Sequence, residues 1–123
     1  MRKTTVMVCG SVKAWGKSKI AKADRAVQHA CQRLKAKKII VAEDSTTAGV
    51  ATRVGATLEI PVEAINFTRG CRTAVPAVRE RWLREMMTEA VALVLLSDER
   101  NEHTKKLFKM AKKLVKGVIL VQL

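Results

Sequence analysis

The sequence predicts a three-layer α/β sandwich around a five-stranded parallel sheet, and three observations carry that reading. Five short apolar runs recur along the chain, each followed by polar or glycine-containing stretches. Between them lie four segments whose apolar residues fall at three- and four-residue intervals, the period of an amphipathic helix. The run at 92–96 shows no alternation, as expected of a strand covered on both faces. Strands alternating with helices require right-handed crossovers, and the strand order expected is 3-2-1-4-5. In that order the first two helices share one face of the sheet and the last two share the other. With 123 residues, 48% of them hydrophobic, the chain suits one domain spanning 1–123. A second core would leave too little surface to bury.

The elements follow in order. Thr4 to Cys9 reads as a buried strand stopped by Gly10-Ser11. After the loop around Trp15-Gly16, the segment 17–37 sets Ile20, Ala23, Val27, Ala30, Cys31 and Leu34 on one helical stripe and covers the other side with Lys and Arg. Ile39 to Ala42 is the second strand. The helix at 47–58 contains Gly49 and Gly55, each weakening it by roughly 1 kcal/mol relative to Ala, and its small residues suggest close packing. Pro61 to Ile65 is the third strand and Asn66 to Ala74 an irregular polar loop. Pro76 suits the first turn of a helix over 76–90, with Val78, Trp82, Met86 and Glu89 at helical spacing. Ala92 to Leu96 is the fourth strand. A last helix over about 101–116 opposes Leu107, Phe108, Met110, Ala111, Leu114 and Val115 to a run of lysines; Gly117 is expected to stop it before the fifth strand, Val118 to Val121.

The formal net charge is +13, which raises the possibility of a polyanionic partner through counterion release. Basic residues concentrate in two stretches, eleven against the single acid Asp24 in 1–38 and seven against three acids in 92–123. On the expected topology these stretches put lysine-rich helices on opposite faces, which argues against one continuous nucleic-acid groove. Aromatic residues make up 3% of the chain, with no Tyr, so base-stacking platforms are scarce. Every apolar run is far shorter than the ~20 residues needed to cross a bilayer. No secretory signal precedes the first strand, so a cytoplasmic protein is expected. Cys9, Cys31 and Cys71 lack CxxC spacing and are odd in number, which points to reduced thiols rather than a disulfide framework or a zinc site.

In parallel α/β proteins ligands sit beyond the carboxyl ends of the strands. Glu43-Asp44-Ser45-Thr46-Thr47, between the second strand and the second helix, stands there with two carboxylates and three hydroxyls but no glycine. Asp44 with Glu43 could hold a hydrated Mg²⁺ or a ribose hydroxyl, and Asp44 or Ser45 could equally cap the helix. Gly10 and Ser11 offer a backbone N–H and a hydroxyl to a phosphate; a plain strand-to-loop turn explains them as well. Arg69 and Arg72 bracket Gly70-Cys71 and are the preferred anion contacts. Cys71 would be a nucleophile only with a base beside it, and His29 and His103 fall elsewhere. Trp15 could stack on a base or cover the sheet, whereas Trp82 and Met86 fit core packing.

This order of landmarks resembles the SLOG superfamily of Rossmann-like nucleotide-binding domains, especially its small stand-alone YspA-like members, over nearly the whole chain. The family's Gly-Ser-Arg after strand one is matched by Gly10 and Ser11, with Val12 where the Arg would stand and Trp15 a few residues on. Its Gly-Gly-x-x-Gly-Ala-Asp after strand two is here Glu43 to Gly49, in which Ala48 alone is kept. Its Arg-Asn-x-x-Met becomes Trp82-Leu83-Arg84-Glu85-Met86, keeping Met86; of its Gly-x-Gly-Thr after strand four, Thr104 stands in register. The phosphoribohydrolases of the superfamily place a catalytic Glu soon after that Thr, where this chain has Lys105-Lys106-Leu107, so that activity is disfavoured.

The resemblance implies a Rossmann-like sandwich that binds or senses a nucleotide or nucleotide-derived ligand, and it implies a homodimer. The ligand contacts expected are Gly10, Ser11, Asp44, Thr46, Thr47, Arg69, Ser97 and Thr104, with no catalytic residue, metal ligand or cofactor assigned. The alternatives are a DNA- or RNA-binding protein working through Lys17, Lys19, Lys22, Lys105, Lys109 and Lys112, and a nucleoside or nucleotide hydrolase using Asp44 or Glu43.

Overall fold

The computed structural model describes residues 4–10, 16–42, 46–65, 76–97 and 102–123, with positions 42, 46, 76–80, 82 and 102–104 described by backbone alone. Five strands and four helices alternate: β1 (Thr5–Gly10), α1 (Lys17–Leu34), β2 (Lys38–Ala42), α2 (Thr46–Leu58), β3 (Val62–Ile65), α3 (Pro76–Glu89), β4 (Ala92–Ser97), α4 (Glu102–Leu114) and β5 (Gly117–Gln122). The strands form one all-parallel sheet in the order β3-β2-β1-β4-β5, as the sequence predicts. The three central strands have the aliphatic composition of strands buried on both faces. In register, Val8 pairs with Val41 of β2, and Cys9 and Gly10 pair with Leu95 and Leu96 of β4.

Alternate residues of each strand serve opposite layers. Val6, Val8, Ile39, Val41, Val94 and Leu96 meet Ala23, Val27, Ala30 and Cys31 of α1 and Val50, Ala51 and Val54 of α2. Met7, Cys9, Ile40, Leu93 and Leu95 meet Leu83, Met86 and Met87 of α3 and Leu107 and Ala111 of α4. The result is a Rossmann-like three-layer sandwich with α1 and α2 on one face and α3 and α4 on the other. Arg53 of α2 ties the first layer together by donating through Nε and Nη2 to the Asp24 carboxylate of α1, at 2.9 and 3.0 Å. Among the described helices none is long and apolar enough to cross a membrane.

Helix ends depart from the expectation. α1 stops at Leu34, not at 37, because Lys35 turns left-handed at φ 52° and the Ala36 N–H donates back to the Cys31 carbonyl at 2.9 Å. α2 closes the same way: Glu59 has φ 58° and the Ile60 N–H reaches the Gly55 carbonyl at 2.8 Å. Left-handed caps usually fall on glycine; a lysine and a glutamate occupy these two. α4 ends at Leu114, and Gly117 is the first residue of β5, paired with Ala92, rather than a helix stop. Among the described side chains of α3, Leu83, Met86 and Met87 are buried and Glu89 is exposed; the expected Val78 and Trp82 lie outside the described side chains. Close packing of α2 does hold at Gly55, where a Cβ would lie 2.8 Å from the Ile60 carbonyl oxygen and collide with Val62.

The two lateral edges differ. β3 is short, follows Pro61, and sets Glu63 in an ion pair with Lys38 of β2; that contact raises the pKa of Lys38. Short strands, proline and charge are the usual protection of a sheet edge. β5 carries no charge between Gly117 and Gln122 and leaves Ile119 37% and Leu120 44% exposed, one on each face.

Candidate functional site at the carboxyl edge

Because every strand is parallel, every connection leaving a strand's carboxyl end lies at one edge of the sheet. Those connections are 11–16, 43–45, 66–75 and 98–101. Neighbouring strands β1 and β4 are reached by crossovers leading to opposite layers, so a topological switch point falls between them. In doubly wound sheets that is where the ligand crevice opens.

Gly10 and Ser97 stand at this point. Gly10 ends β1 in register with Leu96, and Ser97 ends β4 one residue further on. A Cβ on Gly10 would collide with the Leu96 carbonyl oxygen, so the glycine is required by the approach of β1 to β4, independently of any ligand. That requirement involves Leu96, which the sequence reading did not single out; no local pattern signals it. Ser97 is 1% exposed, has an interaction partner, and accepts the Leu123 N–H on its carbonyl at 2.8 Å.

Thr47, second residue of α2, is likewise 1% exposed and has a partner. Thr46 opens α2 and Thr104 lies in the first turn of α4, both described by backbone alone. Ser11, Asp44 and Arg69 lie outside the described residues, as do Glu43, Ser45, Trp15, Cys71 and Arg72. The structure thus brings Gly10 and Ser97 side by side and places Thr46, Thr47 and Thr104 on helices that begin at the same edge.

The start of α1 is the chemically distinctive feature. Gly16 is its N-cap, with φ −70° and ψ 168°, and provides no side-chain hydrogen bond to the helix. No acidic residue stands in the first turn, and Lys17 there is exposed. The opening N–H groups of a helix lack intrahelical partners and carry about half a positive charge, so an uncapped N-terminus is suited to an oxyanion. The first turns of α2 and α3 also lack acids. The charge of the surrounding connections is balanced, however. Lys13, Arg69, Arg72 and Arg100 are matched by Glu43, Asp44, Asp98 and Glu99, so the excess behind the net +13 resides elsewhere.

It resides largely on the helices. On α1, Lys17 and Lys22 are exposed and Lys19, which has an interaction partner, is half-buried; on α4, Lys105, Lys109 and Lys112 are exposed, and Lys105 also has a partner. Lys112 lies over the Phe108 ring, 5.1 Å from its centroid. The two sets occupy opposite layers and do not form one surface. Cys9 and Cys31 are free thiols. Burial pushes Cys9 up to about 12 and Cys31 to about 11, so neither is a nucleophile at neutral pH. Among the described residues no group of three or more His, Cys, Asp or Glu could hold a metal ion.

Strand order and the placement of the helices define a Rossmann-like parallel α/β sandwich. Comparisons with protein-family models, curated proteins and solved structures give no match.

Proposed function

We propose that this domain binds a nucleotide or nucleotide-derived ligand at the carboxyl edge of its sheet, as a sensor or binding module. The observation that carries the reading is the N-terminus of α1, which has no acid in its first turn and no side-chain cap from Gly16, and which follows β1 at the switch point beside β4. A phosphate placed there would accept the N–H groups that Gly16 leaves without a side-chain partner. The charge balance of the surrounding connections suits a nucleoside carrying one or a few phosphates better than a long polyanion. Resemblance of the landmark order to the SLOG superfamily supports the same reading. A nucleic-acid role through the helix lysines ranks second, because those lysines lie on opposite layers.

The test is a thermal-shift and calorimetric titration with nucleoside mono-, di- and triphosphates, on the natural protein and on Gly16→Asp. A Cβ at position 16 meets nothing within 4 Å, and the backbone there already has the extended conformation of an N-cap. An aspartate would occupy the helix N–H groups itself, stabilising the free protein by a few tenths of a kcal/mol. At a hundredfold excess over Kd the ligand should add about 2.7 kcal/mol to the natural protein, and that gain should vanish in Gly16→Asp. Ser11→Ala and Arg69→Ala should weaken binding without raising stability. Nucleotide affinity unchanged in Gly16→Asp would refute the placement of the phosphate, and no affinity for any nucleotide would refute the function.

A further inference from the structure

The outer face of the second helical layer carries a feature unrelated to the carboxyl edge. Leu107 and Ala111 within α4 and Val115 just beyond it turn into the core, and the two flanks of the helix are finished differently. On one flank Lys112 covers the half-buried Phe108. On the other, Met110 and Leu114 form the floor of an open groove of about 260 Å³ between α4 and α3. Its rim is Lys106, Lys109 and Lys113 of α4 and Arg84 of α3, all exposed. Leu114 is 37% exposed, one of the large apolar side chains the fold leaves in solvent. Arg84 already has a partner within the molecule, so the three lysines supply the available charge. No acidic residue is among the described residues lining the groove.

We propose that this groove docks an acidic amphipathic helix of a partner protein, one apolar side chain seated on Met110 and Leu114 and flanking carboxylates facing Lys106, Lys109 and Lys113. The spacing fits: the lysines recur at three and four residues and the floor residues at four, the geometry that a helix laid in a groove matches. Charge complementarity selects the occupant. A second copy of this chain would bring a net charge of +13 against a basic rim and is repelled. A nucleic-acid backbone would neutralise the lysines yet leave the floor without a partner. An acidic helix with a leucine or phenylalanine satisfies both. Flexible Met110 suits such a floor, since methionine adapts to the shape of what it meets. This site is independent of nucleotide binding and stands or falls separately from it.

The test uses a fluorescent helical peptide of about sixteen residues, rich in Glu, with leucines on one face at i, i+3, i+4 and i+7, and a scrambled peptide of equal composition and charge. Anisotropy at physiological salt should show the patterned peptide binding about tenfold more tightly than the scrambled one. Leu114→Gln should remove about that factor, and the double substitution Lys109→Glu/Lys113→Glu should lower affinity by about tenfold or more. Both alter exposed residues, and an unchanged circular-dichroism melt verifies the fold of each; the charge-reversal protein tests the site even where Leu114→Gln loses stability. Equal binding of the two peptides would overturn the inference. So would a single-stranded oligonucleotide that binds more tightly than the patterned peptide, falls steeply with salt, and is insensitive to Leu114→Gln: the groove would then be a phosphate track.

Discussion

The two ends of the sheet are built to opposite specifications. At the amino end the connections 35–37, 59–61, 90–91 and 115–116 are two or three residues long and are closed by backbone hydrogen bonds. Lys37 and Val91 donate to the Thr4 and Thr5 carbonyls at 2.8 and 2.9 Å, Ile39 to the Pro61 carbonyl at 3.0 Å, and two helices end in left-handed caps at Lys35 and Glu59. At the carboxyl end the connections 43–45, 98–101, 11–16 and 66–75 are longer on the whole and hold Ser11, Asp44 and Arg69. Short, internally bonded turns fix where helices re-enter the sheet; longer connections on that rigid frame are where a fold varies and where recognition residues are placed. The difference teaches where backbone bonds fix the frame and where longer connections complete it.

The largest effect expected concerns the thiols, one toward each end of the sheet. With Cys71 replaced by serine, Cys9 near the carboxyl end and Cys31 near the amino end should resist alkylation in the native protein and label fully in urea. The rise of the Cys9 thiol from 9.0 to about 12 lowers its thiolate fraction by about a thousandfold near neutrality, against about a hundredfold for Cys31 at about 11. Cys9 should therefore be the slower. Equal native rates would mean that the carboxyl end opens more readily than its burial implies. The same shifts fix the alkaline response. Stability is unaffected by these groups well below pH 9 and falls as pH rises through 9.0 toward 11 and 12, because the unfolded chain ionises its thiols first.

Next in size are the glycines. Gly10→Ala at the carboxyl end should lower stability by about 3 kcal/mol, since its Cβ meets the backbone of a central strand. Gly55→Ala beside the amino-end turn should lower it by about 2 kcal/mol, part of the clash being relieved by rotation of Val62 and by better helix propensity. Urea midpoints measure both. A neutral Gly10→Ala would show that β1 and β4 do not approach closely enough at Gly10 and Leu96 to require a glycine. The smallest effect should come from Lys35→Gly and Glu59→Gly. Each relieves a left-handed backbone conformation at a residue that carries a Cβ and should raise stability by about 1 kcal/mol. A fall instead would show that these side chains do more at the amino end than close a helix.

Much of the scaffold was legible locally. The unalternating run Ala92 to Leu96 identified a strand buried on both faces, and the Ile20–Ala23–Val27–Cys31 stripe identified α1, because burial on a sheet or a helix imposes periods of two or 3.6 on the chain itself. Strand order followed from the crossover rule and places the four helices in their layers. The candidate site was legible only as a location. Gly10 and Ser11 could be assigned to the end of β1, but the backbone reason for Gly10 lies in Leu96, far away in sequence. Thr47 was chosen for its hydroxyl, and nothing local says that it is almost wholly buried.

The sequence by itself determined the five strands, the four helices, their order and the opposition of the two lysine-rich helices. Each of these depends on side-chain periodicity within a segment or on a chirality rule common to all parallel sheets. Tertiary structure alone decided that Gly10 backs onto Leu96, that Asp24 holds Arg53, that Lys35 and Glu59 close helices without glycine, and that Met110 and Leu114 meet a ring of Arg84, Lys106, Lys109 and Lys113. Gly10 to Leu96, Asp24 to Arg53 and Arg84 to α4 are meetings of residues distant along the chain, and distance along a chain carries no information about proximity until packing sets it.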